Sequence, residues 1–147
     1  MTARRHDAVD NDRTHARATA WRRPPREWML PVGQVHVWRA EVAQHTSALS
    51  ALGSILSPAE QERANRFCFV ADRERFVVAH GLLRMLLGSY LREAPQTLRF
   101  LDNPYGKPAL EPSGGQAGLR FNLSHSQGVV LYAVARGREV GVDVEQI

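Results

Sequence analysis

Cysteine is almost missing from this chain: Cys68 stands alone among 147 residues, so no internal disulfide can form. No C-x-x-C or H-x-x-x-H pair suggests zinc. Lysine is equally scarce, with Lys107 the single one beside 18 arginines. No apolar run approaches the ~18 residues that span a bilayer, and the arginine-bearing N-terminus has no apolar signal-peptide core. A soluble, cytoplasmic protein without a membrane partner is expected. Aromatics make up only 7%, but 44% of residues are apolar, enough for one core and too many for a wholly disordered chain. The length allows one ordinary domain with or without a tail and excludes a multidomain machine.

What is present is unevenly placed. The net charge is +4, from 19 basic and 15 acidic residues. Most of the excess lies in residues 1–33, where seven arginines face four acids. That segment is read as a disordered basic leader, and the domain proper as 34–147. The leader lacks interleaved aromatics and helix-turn-helix spacing, which argues against nucleic acid as a partner.

Gln34 to Glu41 alternates with period two and predicts a strand. Ser57-Pro-Ala-Glu60 carries an N-cap, a proline at the first helical position and the acid of a capping box. A helix to Phe67 follows, then a longer one from about Ala71 to Arg92. Its apolar stripe is Phe76, Ala79, Leu83, Leu86, Leu87 and Tyr90, with Arg73, Glu74, Arg84 and Arg92 mostly elsewhere. Cys68, between the helices, reads as a small buried hydrophobe.

Beyond Pro95 the period shortens to two. Strands are expected at Leu98–Leu101, from Leu119 on, at Val129–Val134 and over Val140–Glu145. A turn at Asn103–Gly106 and a loop at Glu111–Gly118 separate them. The fold class is α+β, with helices packed on a small, mostly antiparallel sheet.

Val140-Gly-Val-Asp-Val-Glu145 is the sharpest chemical feature. On a strand its valines turn inward, leaving Gly141, Asp143 and Glu145 on one face, with the two carboxylates able to converge on a hard cation such as Mg²⁺. By itself this pattern also fits an ordinary exposed strand face. Asn122-Leu-Ser-His-Ser126 offers Ser124 and His125 as donors to an anion, or simply a capped strand end. No G-x-S-x-G elbow supports a hydrolase. Lys107 is held between a turn glycine and a proline, which suits ligand contact as well as a solvated turn. Arg63 and Arg66 lie one turn apart, with Arg75 on the next helix; they suit phosphate oxygens or a wet helix face.

Five motifs in order carry a resemblance: Ser57-Pro-Ala-Glu60, Arg75 with His80-Gly-Leu-Leu-Arg84, Tyr105-Gly-Lys-Pro108, Phe121-Asn-Leu-Ser-His-Ser126 and Val140-Gly-Val-Asp-Val-Glu145. From Gln34 to Ile147 the chain resembles the N-terminal half of 4′-phosphopantetheinyl transferases of the longer, surfactin-synthetase-activating type. The resemblance implies one lobe of a pseudo-dimeric fold with coenzyme A between the lobes. It also implies transfer of the phosphopantetheine arm from coenzyme A to a serine of an apo acyl or peptidyl carrier protein. On this chain Asp143 and Glu145 would bind Mg²⁺ and act with His125 in catalysis. Ser124 and His125 would contact phosphate, Lys107 would line the adenine end, and Arg63, Arg66 and Arg75 would surround the 3′-phosphate. The family's W-x-x-K-E segment, which supplies a third acid and a phosphate lysine, does not occur here. The C-terminal lobe is therefore expected to be absent, and transfer to be incomplete unless a second lobe or a homodimer partner is supplied. The alternative is a non-catalytic module that binds coenzyme A, nucleotide or carrier protein without turnover.

Overall fold

A computed structural model describes residues 1–7, 21, 23–24, 28–102, 104, 106–111 and 118–147. Its frame is a four-stranded antiparallel sheet in the order β1-β2-β6-β5. These strands are β1 (Thr2–Asp7), β2 (Gln34–Glu41), β5 (Leu119–Ser126) and β6 (Val129–Arg136). A separate hairpin joins β3 (Phe100–Asp102) and β4 (Pro108–Leu110). Three helices, α1 (Leu49–Ser54), α2 (Pro58–Asn65) and α3 (Val70–Leu91), complete the α+β fold.

The register explains which strand faces are buried. His36, Trp38 and Ala40 on β2 pair with Val134, Tyr132 and Val130 on β6, which pair in turn with Phe121, Leu123 and His125 on β5. Directly opposed residues share a face, and all but Leu123 and His125 of this set are buried. α3 lies across that face. The Tyr132 hydroxyl donates to the Ala79 carbonyl at 2.8 Å. Near the other end of α3, the Tyr90 hydroxyl accepts from Trp38 Nε1 at 2.8 Å and sits 2.6 Å from His36 Nδ1. Buried polar groups carry little cost when so satisfied.

α3 is covered on several sides, by the sheet, α1 and the 3₁₀ turn Pro95–Thr97, so it is buried nearly all round rather than along one stripe. Gly81 marks a close approach to α1: a Cβ there would stand 2.8 Å from Leu52 Cβ. The β5–β6 turn, Gln127-Gly128, has φ of 46° and 83°, the two positive values of a type I′ two-residue hairpin turn.

Several expectations need correction. The leader is not disordered throughout. Thr2–Asp7 pairs with Gln34–Arg39 as an edge strand, and Ala3 and Leu30 are buried. Trp28 stacks on Trp38 with ring centroids 4.8 Å apart. Edge pairing with β2 and an aromatic contact hold these residues where charge counting indicated none. Residues 8–20, 22 and 25–27 of that leader, Asn103 and Tyr105 of the expected turn, and 112–117 of the expected loop lie outside the described residues. α1 and the preceding 3₁₀ turn Val42–Ala48 were not anticipated, because short helices with weak caps leave little periodicity. Cys68 is exposed, since it falls in the connection between α2 and α3 and not on a buried stripe. Val140–Glu145 forms no strand at all.

Candidate functional site

α2 begins where the cap residues place it. Ser57 Oγ accepts from the Glu60 N–H at 3.2 Å, and Glu60 Oε2 accepts from the Ser57 N–H at 2.8 Å. The same Glu60 oxygen accepts from Arg84 Nε of α3 at 2.7 Å. Arg84 Nη1 donates to the Pro95 and Leu98 carbonyls at 3.0 and 2.8 Å, and its guanidinium lies 5.0 Å from the Phe100 ring. Arg84 is thus only 2% exposed, a correction to its placement off the apolar stripe. A buried guanidinium is tolerated because a carboxylate and two carbonyls satisfy it.

One turn further along α2, Arg63 reaches over the Phe76 ring at 5.4 Å. His80 of α3 stacks on the same ring with centroids 4.1 Å apart. Burial pushes the His80 imidazole down to about 4, Arg63, His125 and Arg84 add to the effect, and Glu60 opposes it. His80 is therefore neutral near pH 7. Arg63, Phe76 and His80 form the common wall of two cavities. The smaller, about 210 Å³, is also lined by Arg75 and His125, with Arg75 tied to Asp72 at 2.9 Å. The larger, about 740 Å³, runs between α2, α3 and the β3–β4 hairpin and is lined also by Arg84, Arg99, Asp102 and Glu111.

Three of the anticipated phosphate contacts, Arg63, Arg75 and His125, therefore meet at one cavity. Arg66 does not line it; its guanidinium is exposed and paired with Glu62 one turn back. Lys107 is exposed between Gly106 and Pro108, both of which line the larger cavity.

Ser124 and His125 are successive on β5, so their side chains diverge. His125 sits on the α3 side, whereas Ser124 turns to the other face and donates to Asp143 Oδ1 at 2.9 Å. Residues 139–145 run extended past β5 without a backbone ladder. Val142 N–H donates to Asn122 Oδ1 at 2.9 Å, and Val144 N–H reaches Ser124 Oγ at 3.2 Å and Asp143 Oδ1 at 3.0 Å. The expected strand is absent because side chains of β5, not its backbone, take up these amides. The alternation survives all the same: Val140, Val142 and Val144 are half-buried, and Gly141, Asp143 and Glu145 exposed. Neither acid forms an ion pair among the described residues. Among those residues no group of three or more His, Cys, Asp or Glu could hold a metal. Two exposed carboxylates, one with an oxygen already steadied by a hydroxyl, are a donor set of the kind Mg²⁺ accepts when other oxygens complete the shell. The residues fit that ion.

The residues that sequence reasoning left without a role are Glu60, His80, Arg84 and Asn122. Their signal was available in part, since the capping box named Glu60, and His80 and Arg84 are spaced four apart, one helical turn.

The sequence family described as 4′-phosphopantetheinyl transferase, N-terminal, matches residues 36–136. The chain belongs to the 4′-phosphopantetheinyl transferase family. It is similar to the 4′-phosphopantetheinyl transferase HetI of Nostoc sp., with 41% identity over 127 residues, covering 86% of this chain and 54% of HetI. It is also similar to the 4′-phosphopantetheinyl transferase Sfp of Bacillus subtilis, with 30% identity, covering 63% of this chain and 40% of Sfp. The chain spans about half the length, or less, of these phosphopantetheinyl transferases. Its fold is similar to that of Helicobacter pylori holo-[acyl-carrier-protein] synthase, solved in complex with coenzyme A. The TM-score is 0.53 at 14% identity, covering 69% of this chain and 98% of that one. Among the described residues no helix is long and apolar enough to cross a membrane.

Proposed function

We propose that this chain forms the coenzyme A-binding lobe of a cytoplasmic 4′-phosphopantetheinyl transferase that loads apo acyl or peptidyl carrier proteins. The observation that carries the reading is the junction on β5, where His125 belongs to an arginine-lined cavity and the adjoining Ser124 holds Asp143. A diphosphate with a further phosphate nearby is the kind of ligand that needs cations on one side and a metal-binding acid pair on the other.

Arg63 and Arg75 bind phosphate oxygens through guanidinium N–H groups, and His125 donates a ring N–H to the same anion. The larger cavity takes the nucleoside end beside Lys107. Asp143 and Glu145 would hold Mg²⁺, which neutralises charge on the diphosphate when bound. In the transfer the carrier serine oxygen forms a bond to the phosphorus bearing the pantetheine. The diphosphate P–O bond breaks, adenosine 3′,5′-bisphosphate leaves, and the serine proton passes to a base. This lobe's part is to bind and orient the donor. A second lobe completes the site.

The test incubates the purified chain with coenzyme A, Mg²⁺ and an apo carrier protein, alone and with a separately expressed C-terminal lobe of a relative. Mass spectrometry reads the carrier's gain of the arm. Coenzyme A binding by this chain, with transfer on adding the second lobe, is expected. Binding without transfer in either arm would favour the non-catalytic module, and no binding at all would overturn the reading.

A further inference from the structure

Residues 139–145 have the alternation of a strand and lie along β5, yet make no ladder with it. Their amides are met instead by side chains spaced two apart. Asn122 Oδ1 takes the Val142 N–H at 2.9 Å and Ser124 Oγ takes the Val144 N–H at 3.2 Å. The step of two on β5 matches the step of two on the segment, so the side chains act as rungs in strand register. Arg120, two residues before Asn122, adds an exposed ion pair to Glu139 at 3.0 Å, a contact of little energetic weight.

A backbone ladder would hold the segment but leave the Asp143 carboxylate to rotate. The side-chain rungs do more. The single proton of the Ser124 hydroxyl goes to Asp143 Oδ1 at 2.9 Å while its lone pair serves Val144, and the Val144 N–H also reaches Oδ1 at 3.0 Å. Two donors therefore fix one oxygen, and Oδ2 takes no hydrogen bond among the described residues. The hydroxyl proton is engaged in this way, so Ser124 could donate to a phosphate only by releasing Asp143.

We infer that Asn122 and Ser124 are positioning residues that set the place and the rotamer of Asp143, Ser124 acting through that carboxylate and not on phosphate. The inference rests on the reading of Asp143 as a ligand of a divalent cation. Outer-shell partners of metal ligands carry about 10- to 100-fold in affinity, so Ser124→Ala and Asn122→Ala are each expected to weaken Mn²⁺-dependent coenzyme A binding about tenfold by calorimetry. Both are expected to speed amide exchange at Val142 and Val144. Ser124→Thr, which keeps the hydroxyl, is expected to restore both measures. Wild-type binding and exchange in both alanine variants would overturn the inference. So would weakened binding in Ser124→Ala that Ser124→Thr fails to restore. If Asp143→Ala leaves Mn²⁺-dependent binding intact, the metal reading falls, and the exchange rates alone then decide whether the rungs exist.

Discussion

The cationic wall and the acidic segment meet at neighbouring residues of β5, yet the chain builds them by different means. The wall stands on helices whose positions are set inside the core: Glu60 of α2 is bound to the buried Arg84 of α3, and His80 packs on Phe76 beneath Arg63. The acidic segment hangs outside the sheet on two side chains and half-buried valines. Interior anchoring makes the wall costly to disturb and geometrically constant. Peripheral anchoring leaves the acids easy to alter without unfolding the domain, which suits the metal-binding role proposed for them.

Substitutions that separate stability from binding sharpen this contrast. The largest effect on stability is expected for Arg84→Ala, which strands the Glu60 carboxylate and two carbonyls; removing one partner of a buried pair costs about 3–5 kcal/mol, read by urea unfolding. Acidification comes next. The His80 imidazole titrates near 4 in the folded protein and near 6.5 unfolded, so the unfolded state takes up the proton first. Its contribution is fully present above pH 6.5, declines as the pH falls towards 4, and totals about 3 kcal/mol. His80→Gln should flatten that decline, compared by unfolding at pH 7 and pH 4.5. Arg63→Ala should change stability by less than about 0.5 kcal/mol and weaken coenzyme A binding roughly tenfold, as loss of a charge-assisted hydrogen bond does. The smallest effect on stability is expected for Asp143→Asn: unfolding stays within about 0.5 kcal/mol of the parent while Mg²⁺-dependence of coenzyme A binding is lost. A destabilisation by Asp143→Asn comparable to that of Arg84→Ala would erase the distinction between the two regions.

The parts of the fold that were legible are those where one local signal suffices. The Ser57 cap with Pro58 and Glu60 placed the start of α2, and the alternation in Gln34–Glu41 placed β2. Alternation was misleading at Val140–Glu145, since period two reports only which side chains face inward and is silent on what satisfies the backbone. Arg84 was misplaced for a related reason: charge alone marks a residue as exposed, and its three partners come from 24 residues upstream and from 11 and 14 residues downstream. Of the candidate site, Arg63, Arg75 and His125 line one cavity although they come from three different elements, a meeting that no spacing in the sequence reports, whereas Arg66 lies outside it, paired with Glu62 along α2. The edge strand β1 was invisible because its pairing with β2 is a tertiary contact of a segment dominated by charge.

Glu60 closes the first turn of α2 and bridges that helix to α3 through the same carboxylate oxygen. Helix ends ordinarily fray many times for each global opening. Here fraying would take from the buried Arg84 its carboxylate partner and leave Nε unmet, so amides in the opening turn of α2 are tied to the slowest motions of the molecule.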